Sequence, residues 1–146
     1  PELDVSQDDI LVLRQIGPKG APGMPEAGLI PIPKKLAKQG VKDMVRISDG
    51  RMSGTAAGTI ILHVAPESAV GGPLSLVRTG DQIQLDVAKR QLNVLVSDQE
   101  LELRRAEQPA ASSVELRGYE KLFYDHVLQA PDGVDFDFLR AKKDGH

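Results

Sequence analysis

The 146-residue sequence contains no cysteine and no tryptophan, and aromatic residues make up only 3% of it. Without cysteine, the chain has no disulfide, no thiol nucleophile and no thiolate ligand for a metal. With so few aromatic residues, the core is predicted to consist of Val, Ile, Leu and Ala. The length suffices for one domain with one core.

Long apolar runs and charge of a single sign are missing too. No run approaches the roughly 18 apolar residues that a membrane-spanning helix needs, and no signal-peptide pattern is present. The net charge is −3 and no basic stripe exists, which disfavours nucleic-acid binding. The three histidines, His63, His126 and His146, are too scattered for a zinc motif. We therefore expect a cytoplasmic protein with no nucleic-acid or membrane partner. Because Pro1 stands where methionine would begin a gene product, we also expect a fragment of a longer polypeptide.

Glycine and proline are abundant, with 14 and 10 copies, and they divide the chain into short elements. The apolar residues 9–16 predict a buried strand. Residues 17–26 contain three prolines and three glycines, which exclude a helix or a central strand. Residues 31–39 predict a short helix that ends before Gly40, and residues 41–47 predict the next strand. This order is typical of a right-handed crossover between two parallel strands.

The rest of the chain predicts three further strands and two helices. Residues 59–65 read as a buried strand, and residues 82–87 and 92–96 as a hairpin. Ser97, with Glu100 three residues later, is typical of a capped helix start.

A second amphipathic helix is predicted over residues 118–129. The sum is a mixed α/β, β-rich chain of at least five strands and about three helices, in which residues 1–108 are predicted to form one domain. Residues 109–146 are predicted to form a C-terminal arm that packs on this domain or on a neighbouring subunit.

The loop after residue 47 carries most of the chemistry. We call residues 48–59 the Ser53 loop and residues 17–26 the Glu26 loop. The Ser53 loop combines Arg51, several hydroxyls and three glycines, although a polar turn between strands would have a similar composition. Loops that leave the carboxyl ends of neighbouring parallel strands emerge at one sheet edge, where ligands bind. We therefore expect Glu26 and Ser53 to lie near each other.

Three kinds of chemistry are compatible with these residues. Ser53 with His63 could form a hydrolase pair, but the Gly-x-Ser-x-Gly elbow is absent, and a histidine within a strand is more often a core residue. A phosphate-binding loop lacks its Gly-Lys-Ser/Thr ending, although Arg51 could hold a carboxylate or a phosphate.

The third possibility is metal-assisted proton abstraction. Glu26 in a rigid loop suits a hard cation such as Mg²⁺. A cation lowers the pKa of adjacent hydroxyls, so that Ser53 could act as a base. A single carboxylate is too few for a metal site, and further ligands would have to come from outside this chain. A solvated glutamate in a loop remains the simpler interpretation.

Four motifs stand out along the chain: Gly17-Pro18-Lys19-Gly20-Ala21-Pro22-Gly23-Met24-Pro25-Glu26, Ser48-Asp49-Gly50-Arg51-Met52-Ser53-Gly54-Thr55, His63-Val64-Ala65-Pro66-Glu67-Ser68 and Gly71-Gly72-Pro73-Leu74. Together they closely resemble the carboxyl-terminal domain of the dihydroxy-acid dehydratase and phosphogluconate dehydratase family. The resemblance covers roughly residues 9–106. Ala21, Met52, residues 30–35 and residues 135–139 resemble the sugar-acid branch of the family, which dehydrates pentonates such as arabinonate or xylonate.

The resemblance implies loss of water from a 2,3-dihydroxy acid to give a 2-keto-3-deoxy acid. It implies an iron–sulfur cluster as Lewis acid on the departing hydroxyl, and a Mg²⁺ ion that holds the substrate. Ser53, as an alkoxide, would remove the proton from C2, and Glu26 would be a Mg²⁺ ligand. Arg51 and Thr55 would lie beside the substrate.

The resemblance also implies a swivelling β-barrel-like domain with flanking helices and a helical C-terminal arm. The cluster would belong to an amino-terminal domain of the same polypeptide that is absent from this chain, so this chain alone is expected to be inactive. The family implies a homo-oligomer with the arm at a subunit contact, where His126 could reach a neighbouring active site, although a structural role is expected. The alternatives are a dihydroxy-acid dehydratase of branched-chain amino acid synthesis and a non-catalytic swivelling module that binds a small anion or a partner protein.

Overall fold

The structure is a computed structural model, and it describes residues 4–27, 30–54, 57–108 and 115–140. Over these ranges it contains five strands and three α-helices. The strands are β1 (Leu11–Leu13), β2 (Arg46–Ser48), β3 (Ile60–Ile61), β4 (Ile83–Asp86) and β5 (Gln91–Val94). The helices are α1 (Lys34–Lys38), α2 (Asp98–Ala106) and α3 (Gly118–His126). The predicted mixed α/β class is confirmed.

The first three strands form one parallel sheet in the order β1-β2-β3. Leu11 lies opposite Arg46, and Arg46 lies opposite Ile60. The predicted parallel pairing of the first two strands is confirmed, with α1 between them in the chain. As a result, the Glu26 loop follows β1 and the Ser53 loop follows β2 at the same sheet edge.

Strand β1 is much shorter than the predicted run of residues 9–16. It ends because the backbone of Gln15 adopts a left-handed conformation with φ of 67°. The preceding Arg14 side chain donates hydrogen bonds to the carbonyl oxygens of Leu74, Ser75 and Val77 at 2.9–3.2 Å. The chain leaves the sheet at this point and is held by a segment distant in sequence.

The second sheet is the hairpin of β4 and β5, with Ile83 opposite Val94 in antiparallel register. This hairpin is confirmed as predicted. The described strands form these two separate sheets, and no closed barrel is present among them. β3 has only two residues, and the chain between β3 and β4 forms short 3₁₀ helices at Ser68–Val70 and Pro73–Leu76, which leaves no ladder to join the sheets.

The predicted helix boundaries hold best where a capping residue defines them. Gly40 follows α1 with φ of 89°, and Ser97 Oγ accepts a hydrogen bond from the Glu100 N–H at 3.3 Å at the start of α2. Helix α3 ends at His126, three residues before its predicted end. After the helix the backbone turns, because the Leu128 N–H donates to the Asp135 carbonyl at 2.8 Å. Among the described helices, none is long and apolar enough to span a membrane.

The core differs in composition from the prediction. Its buried apolar side chains are Met24, Leu36, Met44, Ile47, Leu74, Leu76, Phe123 and Val127. Two methionines and a phenylalanine thus occupy positions expected for aliphatic residues. Methionine adapts to irregular gaps, and both buried methionines lie outside the strands and helices. Phe123 also packs edge-on against Phe136 at a centroid distance of 5.6 Å, and this contact forms the apolar centre of the C-terminal arm.

Arg104 holds α2 against residues 76–81, which precede the hairpin. Its guanidinium is nearly buried and donates to Asp81 at 2.6 and 3.0 Å, to Glu100 at 2.8 Å and to the Leu76 carbonyl at 3.0 Å. The hydrogen bond from Arg104 is the main reason that the pKa of Asp81 lies below its ordinary value, against the opposing effect of burial. The same bond raises the pKa of Arg104.

Candidate active site

The Glu26 loop and the Ser53 loop contact each other at the carboxyl edge of the parallel sheet. Glu26 and Arg51 form a parallel β-bridge, and Arg51 Nη1 lies 3.1 Å from Glu26 Oε1. Arg51 Nε also donates to the Met24 carbonyl oxygen at 2.5 Å. The two loops therefore meet at Glu26 and Arg51, whereas the expected proximity of Glu26 to Ser53 stays a prediction.

Both members of this ion pair are accessible. The Arg51 and Glu26 side chains are 43% and 50% exposed. A pair so exposed contributes only about 0–1 kcal/mol to stability, so either group can exchange its partner for a ligand at little cost. The edge thus presents one carboxylate and one guanidinium to solvent, side by side.

Of the other candidate site residues, the structure describes Ser53 and His63. Ser53 is half-buried and follows Arg51 by two residues. Thr55 lies outside the described residues. His63 is exposed and has a left-handed backbone with φ of 55°, so the expectation of a buried core histidine is wrong. Its N–H donates to the Gly50 carbonyl at 3.2 Å, which ties the segment after β3 to the start of the Ser53 loop.

Asp49 is a buried anchor of the site that the sequence analysis did not single out. It is 1% exposed, and its carboxylate accepts N–H groups from Gln15, Ile16 and Ser68 at 2.9–3.2 Å. The Ser68 hydroxyl donates to it as well, at 2.5 Å. Because hydrogen bonds to charged groups are worth about 1.5–3 kcal/mol each, Asp49 fixes the chain after β1 against the start of the Ser53 loop. In the sequence it stands two residues after a predicted strand and within the second motif of the resemblance, but neither position indicates a buried carboxylate.

Glu67 is a second buried carboxylate beside the site. It is 1% exposed and accepts the N–H groups of Lys19 and Gly20 in the Glu26 loop. Glu67 belongs to the third motif of the resemblance, but its Pro-Glu-Ser sequence does not indicate that the carboxylate is buried. The contacts that bury it come from segments 47 or more residues away.

The far end of the Ser53 loop is held by Arg46 and Asp43. Buried Arg46 donates to the carbonyl oxygens of Ile30 at 3.0 Å and Ala57 at 3.1 Å. Asp43 accepts the Thr59 hydroxyl at 2.6 Å and the Thr59 N–H at 2.9 Å. The hydroxyl contact is the main cause of the lowered pKa of Asp43. The Ser53 loop is therefore fixed at both of its ends.

His126 has its partners inside the C-terminal arm. Its Nδ1 lies 2.9 Å from Asp137 Oδ1, and its ring meets Phe138 edge-on at 5.1 Å. These contacts agree with the structural role expected for this histidine.

The residues fit Mg²⁺ in part and an iron–sulfur cluster not at all. The accessible oxygen atoms of Glu26 are of the kind that Mg²⁺ prefers. The described residues include no group of three or more His, Cys, Asp or Glu side chains able to hold a metal, so Glu26 would be one ligand of a site completed by other residues. The chain has no cysteine and can supply no thiolate to a cluster.

Comparison with known proteins identifies the family of the chain that carries these two loops. The family model described as dihydroxy-acid/6-phosphogluconate dehydratase C-terminal matches residues 2–134. The chain belongs to this family. The resemblance carried by the four motifs is thereby confirmed.

Relatives within the dihydroxy-acid/6-phosphogluconate dehydratase family are named as sugar-acid or dihydroxy-acid dehydratases. The chain is 57% identical over 141 residues to the 6-deoxy-6-sulfo-D-gluconate dehydratase of Pseudomonas putida, which covers 97% of the chain and 24% of that protein. It is 51% identical over 143 residues to the L-arabonate dehydratase of Azospirillum brasilense, covering 94% of the chain and 24% of that protein. With the dihydroxy-acid dehydratase of Archaeoglobus fulgidus, the identity is 43% over 130 residues, covering 89% and 23%.

Two facts follow from these figures. The chain spans about a quarter of the length of the curated relatives that it matches. Its identity is higher to the two relatives named for sugar acids than to the relative named for a dihydroxy acid.

Proposed function

We propose that the full-length protein is a hydro-lyase that dehydrates a sugar acid to a 2-keto-3-deoxy acid, and that this chain supplies one side of its active site. The observation that carries the proposal is the contact between Glu26 and Arg51. It brings the loop with the candidate metal ligand against the loop with the candidate base, in a chain of the dehydratase family.

Ser53 is the base in this proposal. Its oxygen takes the proton from C2 of the substrate, and the electrons of that bond form the C2–C3 double bond. The C3–O bond breaks and takes its electron pair with the departing hydroxide. The proton that Ser53 took from C2 passes to this hydroxide, which leaves as water and restores the Ser53 alkoxide. The resulting enol loses its hydroxyl proton and gains one at C3, which gives the 2-keto-3-deoxy acid. Bound Mg²⁺ would supply the positive charge that lowers the pKa of nearby hydroxyls.

Glu26 would hold the Mg²⁺ ion with one carboxylate oxygen. Arg51 presents a half-exposed guanidinium beside it, and a guanidinium binds a carboxylate through two parallel hydrogen bonds. We assign Arg51 to the substrate carboxylate. Thr55, two residues after Ser53, would contact a substrate hydroxyl.

Other parts of the enzyme would complete the site. This chain has no cysteine, so the thiolates of an iron–sulfur cluster would come from another part of the enzyme, which we propose to be an amino-terminal domain of the same polypeptide. The chain would act as a swivelling domain that closes on that part. Homo-oligomerisation, the division at residue 108 and the cytoplasmic location stay predictions.

A substrate panel tests the proposed function. The full-length protein is incubated with Mg²⁺ and with pentonates, hexonates or a branched 2,3-dihydroxy acid, and the 2-keto product is quantified. We expect turnover of at least one sugar acid, with a higher kcat/KM than for the branched acid. Turnover of the branched acid alone would assign the protein to amino acid synthesis. Absence of any 2-keto product would favour a non-catalytic binding module.

A further inference from the structure

One buried carboxylate joins the Glu26 loop to the C-terminal arm. Glu67 Oε1 accepts the Lys19 N–H at 2.7 Å, and Oε2 accepts the Gly20 N–H at 3.3 Å. Gln129 in the arm donates its side-chain amide to Glu67 Oε1 at 3.2 Å. A carboxylate that is 1% exposed is strongly unfavourable unless donors surround it. The loop and the arm together supply these donors.

The arm contacts this junction in two further ways. The Gln129 side-chain oxygen accepts the Glu67 N–H at 2.8 Å. The Gln129 amide therefore bonds to both the backbone and the side chain of Glu67. Lys19 is held from the other side, because its ammonium lies 4.9 Å from the centroid of the Tyr124 ring on α3. Residues 19 and 20 of the Glu26 loop thus have an anchor in the arm.

The Glu26 loop has little freedom at this anchor. A Cβ added at Gly17 would lie 2.1 Å from Glu67 Oε2, and Pro18 is fully buried. At the other end of the loop, Met24 is buried and its carbonyl accepts Arg51 Nε. The loop is therefore fixed at residues 17–20 by Glu67 and at residue 24 by Arg51. Glu26 projects from the second anchor.

From this arrangement we infer that Glu67 is a positioning residue for Glu26, and that Gln129 makes the C-terminal arm part of the support of the metal ligand. Docking of the arm would then determine how tightly the Glu26 side of the site binds Mg²⁺. The inference rests on the proposed role of Glu26 as a Mg²⁺ ligand. Groups that orient a metal ligand typically change metal affinity about 10–100-fold when they are removed.

The test compares Glu67→Gln and Gln129→Leu in the full-length protein. Glu67→Gln turns one acceptor into a donor that faces the loop N–H groups, and Gln129→Leu removes the amide of the arm while keeping a similar volume. The control is Asp81→Asn, the same carboxyl-to-amide change at another nearly buried carboxylate, whose partner is Arg104. This control should lower the thermal stability without touching the Glu26 loop.

Two readouts separate positioning from a purely structural role. The first is metal binding, measured as Mn²⁺ affinity by electron paramagnetic resonance and as the Mg²⁺ concentration for half-maximal dehydration. We expect Glu67→Gln and Gln129→Leu to lower the Mn²⁺ affinity and to raise the half-maximal Mg²⁺ concentration, each by about 10–100-fold, with little change in kcat at saturating Mg²⁺. The second is hydrogen exchange over residues 17–26, which should accelerate in both variants. Asp81→Asn should leave both readouts at the wild-type value.

Glu26→Gln, measured in parallel, separates the two levels of inference. Suppose that Glu26→Gln weakens metal binding, whereas Glu67→Gln and Gln129→Leu leave metal binding unchanged. The positioning role is then wrong, while the proposed function stands. If Glu26→Gln itself leaves the metal dependence unchanged, the metal role of Glu26 is wrong and the positioning role falls with it. If Glu67→Gln does not fold, an unchanged metal affinity in Gln129→Leu is sufficient to overturn the role of the arm.

Discussion

Arg51 and Glu26 contact each other although 25 positions separate them in the sequence. The Arg51 guanidinium lies at 3.1 Å from the Glu26 carboxylate and is also bonded to the Met24 carbonyl. The guanidinium places its positive charge beside the Glu26 carboxylate, where a bound Mg²⁺ ion would also place its charge. Arg51 and Mg²⁺ would therefore compete for the same carboxylate, and release of Arg51 would leave its guanidinium available to a substrate anion.

Replacement of Glu26 tests its role as a metal ligand. In the full-length protein, Glu26→Gln keeps the shape of the side chain but removes the charge that attracts Mg²⁺. We expect the half-saturating Mg²⁺ concentration for dehydration to rise by at least about tenfold, since even the outer partners of metal ligands have effects of that size. The matched control is Glu107→Gln, which breaks another exposed ion pair, with Arg78 at 2.6 Å. A Mg²⁺ titration identical to wild type in Glu26→Gln would remove Glu26 from the metal site.

The parts of the fold that sequence predicted well are those fixed by local chemistry. Ser97 caps α2 because a serine oxygen can accept the N–H three residues later, and Gly40 ends α1 because glycine adopts a positive φ without cost. The parallel order of β1 and β2 followed from the helical crossover between them. The neighbourhood of the two loops followed in turn from that order.

What sequence could not predict depends on contacts between distant segments. Asp49 and Glu67 are polar residues in turns, and only the folded chain shows that loop N–H groups surround them. Likewise, the Arg14 side chain, just after β1, bonds to carbonyl groups about 60 residues away. Strand lengths and buried charges are set by such pairings, which periodicity does not encode. The metal role of Glu26 and the base role of Ser53 stay predictions.

Replacement of Ser53 tests the proposed base. Ser53→Ala in the full-length protein removes the oxygen that would take the C2 proton, and general-base catalysis contributes about 10²–10⁴-fold. We expect kcat for sugar-acid dehydration to fall by that factor while metal content and Mg²⁺ affinity are retained. Ser75→Ala is the control, because the Ser75 hydroxyl is buried and has no hydrogen-bond partner among the described residues. Activity of Ser53→Ala within about tenfold of wild type would exclude Ser53 as the base.

A methyl group at position 17 tests how tightly the Glu26 loop packs on Glu67. The Cβ of Gly17→Ala would lie 2.1 Å from Glu67 Oε2 and 2.8 Å from Glu67 Cβ. Since overpacking a filled site costs about 1–3 kcal/mol, we expect the free energy of unfolding to fall by that amount, measured by urea titration. At Gly54 the same change meets no described atom within 4 Å, so Gly54→Ala should alter stability by less than about 0.5 kcal/mol. Equal stability of both variants would mean that the loop can move away from Glu67.

The Asp81–Arg104 pair predicts a pH dependence of stability. The hydrogen bond from Arg104 holds the pKa of folded Asp81 below its ordinary value of 3.8. A carboxyl group with a lowered folded pKa contributes stability above its unfolded pKa and loses it as the pH falls through the folded pKa. Asp81→Asn should therefore be less stable than wild type at pH 7, and the difference should shrink as the pH falls below 3.8. This difference is measured from the urea midpoints of wild type and Asp81→Asn at a series of pH values from neutral to acid.

The control for the pH series is Glu102→Gln on α2, the helix that carries Arg104. Glu102 pairs with Arg105 at 3.6 Å, and both side chains are more than half exposed. A pair of this kind contributes little stability, so this variant should track the wild type across the series. If Asp81→Asn keeps a constant deficit down to the lowest pH at which the chain folds, its stabilising effect arises from packing and not from the charge of Asp81. Because Asp81 lies outside the Glu26 and Ser53 loops, the same series should leave Mg²⁺ affinity at neutral pH unchanged.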